Sequence, residues 1–173
     1  MPSNIFLVGP MGAGKTTVGK KLAEQRGQRF IDSDHEIEAR TGVDIPYIFE
    51  KEGEAGFRKR ESCVIADLAT YNDIVLATGG GAVLLPENRQ ALKARGFVVY
   101  LHASVAQQFT RVERSDNRPL LAHGDRRETL ARLFAERDPL YREVADLVLD
   151  TDGKNAKQLA KDIEIALMAT ATP

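Results

Sequence analysis

The segment that most limits what this chain can become is Gly9-Pro10-Met11-Gly12-Ala13-Gly14-Lys15-Thr16, two glycines five apart followed by lysine and a hydroxyl residue. Backbone N–H groups can wrap a polyanion closely only where side chains do not obstruct them, and a following helix must aim its positive N-terminus at the phosphates. Glycine at 9, 12 and 14 permits that approach. Ile5-Phe6-Leu7-Val8 just before is a short apolar run of buried-strand type, and Val18 and Leu22 just after are spaced to face a core from a helix. Strand, loop and helix thus stand in the order required of a nucleoside-triphosphate site.

A chain of 173 residues buries one good core and is too short for two ordinary ones, so a single domain spanning residues 1–173 is expected. Lys and Arg total 24 against 25 for Asp and Glu, a net charge of −1, which argues against a general binder of nucleic acid or membrane surfaces. Cys63 is the only cysteine, so no intrachain disulfide can form. Only a four-residue apolar run precedes Gly9, no stretch has the length of a membrane span, and a cytoplasmic location is expected.

Strand-like runs recur at Ile5 to Val8, Arg29 to Asp32, Ile74 to Ala77, Phe97 to Leu101 and Leu147 to Leu149. Helical patterns lie between them: Lys15 to Arg26, Asp34 to Arg40, a turn near Ile45 to Glu50, Glu54 to Thr70, Pro86 to Arg95, Ser104 to Arg114, Arg127 to Ala145 and Ala156 to Met168. The alternation implies a parallel sheet covered on both faces. The polar stretch about 113–126, with Pro119 and Gly124, breaks the pattern and reads as a mobile lid.

In open parallel sheets, ligands sit beyond the carboxyl ends of the strands. Three such ends are chemically loaded: the phosphate loop after the first strand, Asp32 and Asp34 after the second, and Thr78-Gly79-Gly80-Gly81 after the third. If the second strand continues to residue 34, both carboxylates point to one side of the sheet. A nucleotide-bound Mg²⁺ would then take Thr16 directly and Asp32 through water, leaving Asp34 for an acceptor hydroxyl. The competing reading is a helix cap supplied by Ser33 or Asp34. The third strand ends without the acidic residue of hydrolytic motors, and no Asn-Lys-x-Asp base-reading motif occurs. Three glycines in succession point to backbone N–H groups approaching a second ligand, or else to a flexible turn. Arg58, Arg118 and Arg137 offer forks suited to carboxylate or phosphate. Arg58 also has Glu54 at i−4 and Glu61 at i+3, so a surface ion pair competes with ligand binding there. His35, His102 and His123 lack metal-ligand spacing and are given no catalytic role.

Taken together, these blocks resemble shikimate kinase: Gly9 to Thr16, Asp32-Ser33-Asp34, Ile48-Phe49-Glu50 through Gly53-Glu54 to Phe57-Arg58-x-Arg60-Glu61, Gly79-Gly80-Gly81, Arg118-Pro119-Leu120-Leu121 and Arg137-x-Pro139-Leu140-Tyr141. The resemblance covers nearly the whole chain. It implies an α/β, three-layer P-loop kinase fold: a five-stranded parallel sheet of order 2-3-1-4-5, helices on both faces and a mobile lid, as in nucleoside monophosphate kinases. It implies ATP-dependent phosphorylation of the 3-hydroxyl of shikimate, with Mg²⁺, in aromatic amino acid biosynthesis. By the same resemblance the acceptor-binding region is about 33–62, with Arg58, Gly80 and Arg137 holding the substrate carboxylate, Gly79 and Gly81 also binding the substrate, Asp34 meeting its hydroxyls, and Phe49 and Phe57 lining the pocket. Gly12, Ala13, Gly14, Lys15, Thr16 and Thr17 would hold the nucleotide phosphates, Arg118 would close over them, and Arg111 would stack on adenine. Lys15, Asp34 and Arg118 are the expected catalytic residues, and a monomer with only small-molecule partners is expected. Asp152-Gly153-Lys154-Asn155-Ala156 departs from the family by lacking an arginine and a proline near the base. Two other readings stand beside this one: a kinase for another hydroxylated acid such as gluconate, and a nucleotide-binding module without chemistry.

Overall fold

The structure is a computed structural model that describes residues 2–113 and 125–171. Eleven of the fourteen positions read as the lid, 114–124, fall outside the described residues, and Arg118 is among them. The chain runs β1 (Ile5–Val8), α1 (Lys15–Arg26), β2 (Arg29–Asp32), α2 (Ser33–Thr41), α3 (Ile45–Leu68), β3 (Ile74–Ala77), α4 (Pro86–Arg95), β4 (Phe97–His102), α5 (Val105–Val112), α6 (Arg126–Val144), β5 (Leu147–Asp150) and α7 (Ala156–Thr170).

All strand pairs are parallel and the order is β2-β3-β1-β4-β5, as the resemblance implies. The central strand is apolar at all four positions because both its faces are covered. Its alternating side chains divide two cores. Ile5 and Leu7 pack with Val18 and Leu22 of α1 and Leu159 and Ile163 of α7. Phe6 and Val8 pack on the other face with Ile65 and Leu68 of α3, Leu92 of α4 and Tyr141 of α6. The edge strands β2 and β5 are only partly buried. Register aligns Asp32 and Leu7 with Ala77, so the loops leaving β1, β2 and β3 open onto one edge of the sheet.

Two local expectations are corrected. The second strand stops at Asp32 because the Asp32 carboxylate accepts from the N–H groups of Asp34 (2.9 Å) and His35 (3.2 Å), capping α2. The cap is therefore Asp32, not Ser33 or Asp34, and Asp34 lies in the first helical turn rather than on the strand. The turn near Ile45 to Glu50 and the helix from Glu54 form one helical stretch, broken at Gly53, where φ 70° and ψ −178° are non-helical.

Candidate active site

Three positive-φ glycines shape the loop after β1: Gly9 (149°), Gly12 (79°) and Gly14 (88°). Gly14 precedes α1 in a left-handed conformation that supplies no side-chain cap, and the first turn of α1 holds no acidic residue. With no side-chain cap and no acidic residue there, the helix dipole favours an anion at this helix start. Lys15 is buried, and its Nζ donates to the carbonyls of Gly9 (2.6 Å) and Pro10 (2.8 Å), which draws the ammonium across the loop. Thr16 Oγ1 donates to Asp32 Oδ2 at 2.8 Å, so a hydroxyl from the first turn of α1 and a carboxylate from the end of β2 meet beside the loop. Arg111 Nη1 donates to the Gly12 carbonyl at 2.7 Å, holding α5 over the loop.

Across the cleft stands the turn after β3. None of Gly79, Gly80 and Gly81 has positive φ, and the Gly79 N–H donates to the buried Ser33 Oγ at 3.2 Å. Of the three N–H groups that the glycine run offers a second ligand, that of Gly79 is therefore already engaged within the protein. Glycine is needed there for close approach. A Cβ on Gly79 would sit 2.7 Å from Asp34 Oδ1 and 3.1 Å from Glu61 Oε2, and one on Gly81 would fall on the Arg58 guanidinium. Asp34, Glu61 and Arg58 therefore pack against bare backbone.

Arg58 is neither a plain surface ion pair nor an isolated ligand. Its Nη1 donates to Glu61 Oε1 at 3.0 Å and its Nη2 to Glu54 Oε1 at 3.3 Å, while it lines the cleft. Its side chain is 11% exposed and that of Glu61 is 1%. Burial pushes the Glu61 carboxyl up to about 7 against the opposing charge of Arg58, and Asp34 adds to the rise. Arg137 projects into the same space from α6 and is buried. The Nε atoms of Arg58 and Arg137 have no hydrogen-bond partner among the described residues. Nearby, Tyr141 donates to the Gly80 carbonyl and stacks on Tyr100 with ring centroids 4.8 Å apart, which ties α6 to the glycine turn. Burial pushes the Tyr141 hydroxyl up to about 12, so it remains a donor at neutral pH. Phe49 and Phe57, with ring centroids 4.9 Å apart, form the apolar wall.

The two halves of the site line one cleft of about 570 Å³, within the range of small-molecule sites, with Ser33 and Tyr141 packed behind its wall. It gathers Gly12, Ala13, Gly14, Lys15, Thr16, Thr17, Asp32 and Arg111 at one end, and Asp34, Phe49, Phe57, Arg58, Gly79, Gly80, Gly81 and Arg137 at the other. Of the residues expected in the site, Arg118 lies outside the described residues. Sequence reasoning left four cleft-side features unassigned. Glu61 was visible as a helical neighbour of Arg58 and Ser33 as a possible cap, and these two and Tyr141 otherwise only as members of motifs. The segment 154–156, where family-like base contacts are missing, also borders the cleft. A second cavity of about 620 Å³ adjoins it, sharing Arg111, Lys154 and Asn155 and adding Gln107 and Thr110.

An arrangement of this kind can hold a polyphosphate at the helix start and a carboxylate between two guanidiniums, with the Asp34 carboxyl in the same cleft. The family model for shikimate kinase matches residues 11–167. A shikimate kinase of Halorhodospira halophila is 58% identical over 166 residues, covering 96% of this chain and 94% of that protein. The solved structure of a shikimate kinase from Acinetobacter baumannii in complex with shikimate superposes with a TM-score of 0.97 at 51% identity, covering 100% of this chain and 96% of that one. A gluconokinase from Sinorhizobium meliloti, at 17% identity and a TM-score of 0.58 over 97% of this chain and 93% of its own, shares the fold alone.

Proposed function

The chain belongs to the shikimate kinase family, and on that footing we propose how its own residues divide the labour of phosphorylating shikimate. The reaction is transfer of the terminal phosphoryl group of ATP to the 3-hydroxyl of shikimate. One observation carries the assignment of roles: a single cleft is lined by the uncapped start of α1, by Asp34 and by two guanidiniums.

Phosphoryl transfer asks a protein chiefly to align donor and acceptor and to neutralise charge on the moving group. The amides of residues 12–16 and Lys15 hold the β- and γ-phosphates, a role supported by the bare helix start and by the lysine drawn across the loop. Arg58 and Arg137 clamp the acceptor carboxylate, Phe49 and Phe57 cover the ring, and Asp34 orients or deprotonates the attacking hydroxyl. Arg118, carried over from the family motif, closes on the phosphates. Arg111 and the cavity beside it receive the base, with Lys154 and Asn155 in place of the arginine and proline of the family pattern.

Thr16 and Asp32 would hold a magnesium ion. A hydroxyl and a carboxylate oxygen 2.8 Å apart beside the phosphate loop suit a hard cation, which draws its remaining ligands from phosphate and water. When bound, the ion supplies positive charge to the phosphate oxygens. The exposed free Cys63 suits a reducing compartment, and we place the protein in the cytoplasm. No helix among the described residues is long and apolar enough to cross a membrane.

The test is acceptor-dependent ADP formation in a coupled assay, with shikimate and gluconate run side by side. Turnover with shikimate and none with gluconate is expected. ATP binding without acceptor-dependent ADP release would overturn the reading.

A further inference from the structure

The acceptor end of the cleft contains a carboxyl group that phosphoryl transfer does not use. Glu61 is 0% exposed, one helical turn along α3 from Arg58. One of its oxygens accepts from Arg58, while the other, Oε2, has no hydrogen-bond partner among the described residues and packs against Gly79 on the cleft wall. The charged and titratable groups that face it are Arg58 from its own helix, Asp34 from α2, and Arg137 and Tyr141 from α6, with Glu54 behind Arg58. Leaving out Glu54, whose side chain is half exposed and screened by solvent, the two guanidiniums and an ionised Asp34 give this pocket a net charge of about +1 if Glu61 is neutral and about zero if it is ionised. A carboxylate arriving at Arg58 and Arg137 adds negative charge beside Glu61 and draws on the cations that offset it. Both effects favour the protonated carboxyl.

From this geometry we infer that Glu61 is a specificity-determining residue of the acceptor site, taking up a proton from solvent as an anionic acceptor binds and so keeping the pocket cationic toward a monocarboxylate. The inference rests on the reading of Arg58 and Arg137 as the carboxylate clamp. Burial already holds the empty-site carboxyl near neutrality, at about 7. Since binding prefers the protonated form, acceptor affinity is greatest below that value. It weakens as pH rises through it, by up to about tenfold per pH unit, until the higher bound-state value is passed.

Calorimetric titration of the wild-type protein with shikimate near pH 7.5, in buffers of different ionisation enthalpy, reads the proton uptake directly. Uptake of a fraction of a proton is expected, with Kd rising between about pH 7 and pH 8.5. In Glu61→Gln, which keeps an acceptor oxygen for Arg58 but cannot titrate, uptake should vanish and Kd should become flat with pH. Zero uptake in the wild type overturns the inference. So does undiminished uptake in E61Q, which would assign the proton to another group such as His35. If E61Q does not fold, ¹³C NMR of the wild-type Glu61 carboxyl decides the question: an upward shift of its titration on shikimate binding supports the inference, and an unchanged or lowered one overturns it. Failure of the clamp looks different, because Arg58→Ala and Arg137→Ala would then bind shikimate normally whether or not a proton is taken up.

Discussion

Replacing Gly79 by alanine tests whether the site depends on carboxylates packed against bare backbone. The new Cβ would lie 2.7 Å from Asp34 Oδ1 and 3.1 Å from Glu61 Oε2, where ordinary contact begins at 3.4 Å. Glu61 is buried and held by Arg58, so the easier retreat belongs to Asp34 in the first turn of α2. It would move by about 0.7 Å, the gap between 2.7 and 3.4 Å. Since a misplacement of about 1 Å can cost roughly a hundredfold in rate, kcat should fall about 10- to 100-fold, or about 1.4 to 2.7 kcal/mol of barrier. Overpacking should also cost about 1 to 3 kcal/mol of stability, at roughly 2 to 4 °C of Tm per kcal/mol in a chain of this size. Nucleotide affinity should hold, because the phosphate loop is untouched. Gly27→Ala serves as the control: at φ +65° with nothing within 4 Å, it should lose roughly 1 to 2 kcal/mol through its left-handed backbone yet keep its turnover. The measurements are steady-state ADP formation at saturating shikimate and ATP, and thermal melts. A Gly79→Ala protein with wild-type kcat would refute the reasoning.

Arg58→Ala and Arg137→Ala should each weaken shikimate binding by about tenfold to a hundredfold, the worth of a charged hydrogen bond of roughly 1.5 to 3 kcal/mol, as read by calorimetry. Normal affinity in both would move the acceptor site elsewhere. Asp34→Asn should bind ATP and shikimate but transfer little phosphate, and a wild-type rate in rapid-quench assays would remove Asp34 from the chemistry. Arg118→Ala should lower kcat by about 10³ to 10⁵ while leaving shikimate affinity without ATP near normal, whereas unchanged turnover would cancel the finger role carried over from the family motif.

Local signals gave the architecture because their causes are local. The phosphate loop, the apolar β1 and the start of α1 at Lys15 follow from residue order within some twenty positions. One element boundary moved where a side chain intervened, at Asp32, whose carboxylate ends the strand and starts the helix in one step, and another where the backbone of Gly53 breaks α3 without ending it. The strand order came from the motif pattern as a whole, not from any one segment.

From composition and spacing, the chain by itself determined a parallel sheet, a polyanion loop and a set of arginines and aspartates at strand ends, since periodicity and glycine placement are properties of neighbours along the backbone. Only the tertiary structure decided that Glu61 is buried with one oxygen on Arg58, that Ser33 takes the Gly79 N–H, and that Tyr141 fastens α6 to Gly80. Those partners lie up to 61 positions apart, and desolvation belongs to whatever packs around a group in space, so no reading along the chain contains it.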